Sequence, residues 1–153
     1  MRCMAGVSPA IHSISPLGVR NWKVTVSTHY VQIGAYTPAV APDGTVHVAG
    51  REFTAFNPSG TVKWRDHGLG YYFGSPAVAS DGSVYFAQWS TYAPYEQRVR
   101  SLNADGSVRW DSGVLGTYPI SASPALGDDG TVYIGIHDSN ALSGAYNGAL
   151  VAI

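Results

Sequence analysis

The chain has 153 residues, of which 45% are hydrophobic and only 12% charged, about half the usual charged share of roughly 25%. That balance supports a folded core and excludes a disordered chain, and a net charge of −1 spread along the sequence excludes the electrostatic footprint of a nucleic-acid or anionic-membrane binder. Eighteen Gly, nine Pro and 12% aromatic residues belong to short strands joined by tight turns rather than to helices.

Residues 1–13 contain no apolar stretch of the kind that forms a secretory leader, and they are expected to be irregular. Cys3 is the only cysteine, so neither an intramolecular disulfide nor a cysteine-built metal site can form within the chain. No apolar run is long enough to span a bilayer. The first pattern is ISPLGVRNW (14–22), which returns as FNPSGTVKW (56–64) and LNADGSVRW (102–110), with Gly18, Gly60 and Gly106 aligned and Trp22, Trp64 and Trp110 aligned.

A second pattern alternates with the first: TPAVAPDGTVHVAG (37–50), SPAVASDGSVYFAQ (75–88) and SPALGDDGTVYIGI (123–136). Each copy reads as a short strand, an Asp-Gly turn and an alternating strand in which Val46 and Val48, Val84 and Phe86, or Val132 and Ile134 share a face. A type I′ turn with Asp and Gly at its two centres is expected at each. The two patterns together make a unit of four strands. At the C-terminus GALVAI (148–153) matches the strand that leads into the first pattern, so Ile153 aligns with Ile14, Phe56 and Leu102. Those four positions are separated by 42, 46 and 51 residues, and four strands at a period of about 40–50 are the signature of β-propeller blades.

The expected fold is therefore all-β, with about three blades of four antiparallel strands over 14–153 and blade boundaries near 37, 75 and 123. Closed propellers have about four to eight blades, so the expectation is a partial propeller, completed by further blades or by a second copy of the chain.

The combination of [ST]-P-A-[VL]-x-x-D-G-[ST]-V with [LF]-N-x-x-G-x-V-x-W resembles the PQQ-like (quinoprotein-like) β-propeller repeat over nearly the whole chain. That family includes quinone-dependent dehydrogenases, the lipoprotein scaffold of the outer-membrane β-barrel assembly machinery and surface repeat proteins. The resemblance implies an extracytoplasmic (periplasmic or secreted) address. It also implies docking roles for Trp22, Trp64 and Trp110, each packing against the neighbouring blade. In the family's docking motif an Asp stands where this chain has Asn57 and Asn103, and the spacer before Gly is one residue longer than here. Those departures favour the non-enzymatic scaffold branch. The dehydrogenase alternative implies a disulfide of adjacent cysteines, a calcium ion and an Asp base, and Cys3 alone cannot supply the first.

Candidate chemistry is sparse, and neither a catalytic residue nor a cofactor or metal is expected. Asp43, Asp81, Asp105 and Asp129 all precede a turn glycine, where a carboxylate caps its own turn. The five histidines lack chelating spacing, and neither a nucleophile elbow nor a phosphate loop is present. The most variable stretches are insertions between the second and third strands, WSTYAPYEQRV (89–99) and HDSNALSGAYNG (137–148). They occupy one topological position and read as loops on one face. Trp89, Tyr92, Tyr95, Arg98, His137, Asp138, Asn140 and Tyr146 are the candidate binding surface, for a protein or a glycan. Tyr71, Tyr72 and Phe73 read as packing between blades.

Overall fold

The computed structural model describes residues 10–25, 37–50, 52–68, 70–90, 95–116, 122–140 and 145–153, and of residues 71, 73, 137–140 and 145–147 it describes the backbone. Among the described residues every regular element is a strand. A hairpin of β1 (Ala10–Ile14) and β2 (Arg20–Thr25) comes first, so strand begins inside the segment expected to be irregular. A first blade follows, ordered β3 (Ala39–Val40), β4 (Val46–Val48), β5 (Phe53–Phe56) and β6 (Val62–Asp66). The second blade is β7 (Tyr71–Val78), β8 (Val84–Trp89), β9 (Gln97–Leu102) and β10 (Val108–Asp111). The third has three strands, β11 (Ala125–Leu126), β12 (Val132–Asn140) and β13 (Ala145–Ala152). All pairings within these sheets are antiparallel.

One turn geometry recurs at six places. Residue pairs Ala41/Thr45, Asn57/Thr61, Ala79/Ser83, Asn103/Ser107, Gly127/Thr131 and Ser15/Val19 each close a three-residue loop. In each, the first residue donates its N–H to the carbonyl of the last and accepts from the glycine between them. The glycines have φ between 76 and 89°. This corrects the type I′ expectation: with three residues to place, an ordinary type I turn is centred on residues such as Pro42 and Asp43, and glycine follows in the left-handed region to restore the strand twist. The carboxylate of the preceding Asp accepts the N–H two residues on, at 2.9 Å in all four Asp-Gly turns. A register shift falls just before the aligned tryptophans in β1–β2, β5–β6 and β9–β10 alike.

The second blade shows why alternation builds a stack of sheets. Along β8, Val84 and Phe86 join Phe53, Tyr72, Ala49 and Leu102 in a core shared with the first blade. The intervening Tyr85 and Ala87 point the other way, into a core with Val99, Val132 and Ile134 shared with the third blade. Five of the six β8 residues are consequently buried, because a sheet covered on both faces has no solvent side. Phe53 stacks on Phe86 at 4.3 Å between ring centroids, and Tyr72 meets Phe86 edge-on at 5.2 Å. Each such ring contributes on the order of 1.5–3 kcal/mol through burial. The outer strands β6 and β10 are largely exposed.

Two hydrogen-bond series tie one unit to the next. The Trp22 indole donates to the Pro58 carbonyl at 2.8 Å and that of Trp64 to the Ala104 carbonyl at 3.0 Å. Each indole stands over the turn glycine beneath it: a Cβ at Gly60 or Gly106 would lie 2.8 Å from Cδ2 of Trp22 or Trp64. At the starts of the [ST]-P-A motifs, Thr37 N–H donates to the Ser75 hydroxyl and Ser75 N–H to the Ser123 hydroxyl, both at 2.8 Å. The Ser or Thr that opens each [ST]-P-A motif is thus an inter-blade linker.

Candidate functional site

The Asp-Gly turns and the first-pattern turns lie at one end of the sheets. The opposite end carries the connections between second and third strands, together with the ends of the outer strands. There a cleft of ≈ 200 Å³ is lined by Asp66, Gln88, Glu96, Arg98, Arg100 and Asp111, with Gly68 and Ser90 at its edge. Alternation along β9 sends Arg98 and Arg100 to one side, while Asp66 and Asp111 are the last residues of β6 and β10.

The guanidinium of Arg100 stands at 2.8 Å from Asp66 Oδ2 and at 3.4 Å from Asp111 Oδ2, so it joins the first blade to the second. Arg98 pairs with Glu96 and lies at 3.4 Å from Asp111 Oδ1. Glu96, then Asp111, hold the Arg98 guanidinium above its usual range. The Tyr72 hydroxyl donates to Asp66 and accepts the Gly68 N–H at 2.8 Å. Burial first, and the Asp66 charge second, push this phenol well above the usual tyrosine range, so it stays a neutral hydrogen-bonding group. Gln88 is buried and its Nε2 has no hydrogen-bond partner among the described residues, while its Oε1 faces Arg100 at 3.4 Å.

Of the candidate surface, Trp89 and Tyr95 come together as a stacked pair, 6.0 Å between centroids and 20° between planes, and their chain neighbours Ser90 and Glu96 line the cleft together with Arg98. Tyr92 lies outside the described residues. His137, Asp138, Asn140 and Tyr146 fall on strands: the insertion in the third unit extends the β12–β13 hairpin, with His137 opposite Gly148 and Ser139 opposite Tyr146. Pairing of the inserted residues with one another, as on any long hairpin, replaces the loop that the sequence suggested. Trp22, Trp64 and Trp110 all occupy β2, β6 and β10 next to the neighbouring unit, and Trp110 packs half-buried among Tyr85, Val132 and Ile134. Tyr72 is fully buried between blades.

Sequence reasoning did not single out Asp66, Gln88, Arg100 and Asp111. The available signal was an Asp one or two residues after Trp64 and Trp110, opposite the alternating arginines of 98–100. Among the described residues no group of three His, Cys, Asp or Glu side chains converges to hold a metal ion. The cleft does not fit a quinone and its general base: Asp66 and Asp111 are each committed to Arg100, and one cysteine cannot make the adjacent-cysteine disulfide. No helix among the described residues is long and apolar enough to cross a membrane.

No family model matches the chain, and no curated protein matches it. Among solved structures it is similar to a protein of unknown function from Bacteroides caccae, with a TM-score of 0.54 and 19% identity over 94% of this chain and 54% of that one. It is also similar to BamB from Moraxella catarrhalis, with a TM-score of 0.58 and 14% identity over 92% of this chain and 42% of that one. The chain thus spans about half the length of these neighbours. With its four-stranded antiparallel sheets in series, the fold is a partial β-propeller.

Proposed function

We propose that this chain is a non-catalytic β-propeller scaffold built of PQQ-like repeats, which binds a protein partner at the end of the blades that carries the cleft. The observation that supports this reading is the Trp89–Tyr95 stack, whose chain neighbours Ser90 and Glu96 line the cleft of Arg98 and Arg100, since Trp, Tyr and Arg dominate the energetics of protein interfaces. The charges there are paired with one another, so the surface offers a fixed polar relief and an aromatic ledge. Tyr92, His137, Asp138, Asn140 and Tyr146 belong to the same proposed surface. Tyr95→Ala, at an exposed ring, is expected to leave the melting temperature within a few degrees of wild type, whereas Trp89→Ala, whose indole nitrogen is buried, lowers stability as well. Each should weaken at least tenfold the binding of a partner recovered by cross-linking from position 95. Equal binding by the double variant would remove the proposal.

A carbohydrate-recognition role is the second reading, favoured by a buried Gln88 Nε2 that has no partner among the described residues, at the wall of a cleft of ≈ 200 Å³. Glycan-array binding that is lost on Gln88→Leu would favour it over a protein partner.

A further inference from the structure

The cleft between the first two blades holds a polar group that its own surroundings leave unmatched. Gln88 lines the cleft and is 6% exposed; its Oε1 faces Arg100, while its Nε2 has no acceptor among the described residues. Gly68, which also lines the cleft, leaves room for that amide, since a Cβ on it would overlap Nε2. A buried donor without an acceptor is costly to keep. Val84 and Phe86, on the same face of β8, are apolar and pack in the core. Packing alone therefore does not call for an amide at position 88.

The rest of the lining fixes the chemistry that matches it. Asp66, Glu96 and Asp111 set three carboxylates against the two guanidinia of Arg98 and Arg100, one negative charge in excess. An anion meets that excess and finds both guanidinia already paired. An ammonium or guanidinium suits the charge but carries donors only, so it leaves the Gln88 donor as it was. A neutral group that both accepts and donates satisfies the two walls together. A carboxylate has about four lone-pair sites, and the bonds from Arg100 and Tyr72 to Asp66, and from Arg98 to Glu96, fall on one oxygen of each, Oδ2 and Oε2. Their other oxygens remain acceptors. Asp66 stands on the first blade and Gln88 on the second, so a single amide, with donor and acceptor on one carbon, reaches one wall, whereas a sugar ring carries hydroxyls on several carbons and reaches both. The cleft of ≈ 200 Å³ is smaller than the roughly 300–1,000 Å³ of drug-sized sites and suits one ring.

We propose that the cleft is a subsite for one neutral hexose ring, free or at the end of a glycan, and that Gln88 is its selecting residue. The Gln88 amide donates to a ring hydroxyl, and neighbouring hydroxyls donate to Asp66 and Glu96. This rests on the carbohydrate reading of the cleft and narrows it. Both blades that wall the cleft have all four strands, so nothing in the subsite depends on the ends of the chain.

The test is saturation-transfer NMR of the purified full chain with the methyl glycosides of glucose, galactose and mannose, each beside its own uronate and its own amino sugar, titrated to about 10 mM. At least one neutral glycoside should bind, about tenfold or more tighter than its two charged counterparts. Gln88→Leu should weaken that binding about tenfold or more and melt no lower than wild type, because it removes an unmatched polar group. Glu96→Gln, which removes the excess charge, should tighten the matching uronate about threefold or more. A charged sugar that binds better than its neutral form, or a uronate affinity that Glu96→Gln leaves unchanged, would overturn the neutral ring and leave the carbohydrate reading standing. Binding by none of the rings would overturn both and leave the cleft to a protein partner. A Gln88→Leu chain that binds like wild type, or that melts well below it, would make Gln88 a packing residue and overturn its selecting role.

Discussion

His47 shows how one residue departs from its repeat and carries a measurable consequence. It stands where Tyr85 and Tyr133 stand, buried between Phe53 and Trp64, with neither ring nitrogen hydrogen-bonded to a described residue. Burial, and then the Lys63 charge, lower its pKa from 6.5 to about 4. In that window the unfolded chain binds a proton that the folded chain refuses, so stability is full above pH 6.5 and falls as pH drops toward 4. The loss attributable to this group is about 3 kcal/mol across the window. His47→Tyr, the residue of the other repeats, should flatten denaturation midpoints measured between pH 6.5 and 4; an unchanged slope would place the acid sensitivity elsewhere. Asp43 and Asp81 act lower on the scale. Hydrogen bonds from Lys63 and Thr45, and from Ser83 and Arg109, hold these carboxylates below the usual range. Their contribution is present above the ordinary carboxylate pKa and is lost as pH falls through their lowered values. The turn role of these aspartates was legible because Asp-Gly recurs at one place in each repeat. His47 was legible as a strand residue, but its buried, unbonded state depends on Trp64, a neighbour 17 residues away in sequence.

At the scale of strands and turns, periodicity made most of the fold readable. Alternation assigned Val84 and Phe86 to one face and Tyr85 to the other, and the repeat gave the strand count of a blade. The turn type was not readable from the Asp-Gly pair alone, because it depends on which residues flank the loop as the last bonded pair, here Ala41 and Thr45. Nor was the job of the [ST]-P-A motif, whose hydroxyl works across a boundary of 38 or 48 residues. Ser75→Ala removes the acceptor of the Thr37 N–H and should cost about 1 kcal/mol in urea denaturation. Ser80→Ala, in the nearby turn, should cost nothing measurable. Equal effects would mean that the hydroxyl does not link the blades. The charge cleft was hidden for a similar reason: Arg100 and Asp66 belong to different blades, 34 residues apart, and nothing in either local pattern pairs them.

At the scale of the whole molecule, one joint is repeated, an indole of one unit standing on the turn glycine of the next. Trp64→Ala removes a half-buried ring and its hydrogen bond and should cost about 3 kcal/mol. The same substitution also trims the core around Phe53, so a cleaner test leaves every ring in place. Gly106 and Gly130 occupy the same type of turn with φ of 89 and 86°, so alanine strains both backbones alike. They differ in what an added Cβ meets: Trp64 at 2.8 Å over Gly106, and nothing within 4 Å at Gly130. The measurement is the unfolding free energy of Gly106→Ala against Gly130→Ala by urea denaturation at one protein concentration. The joint predicts that Gly106→Ala is less stable than Gly130→Ala by about 1–3 kcal/mol, the cost of displacing a packed ring. Equal losses at the two glycines would contradict it.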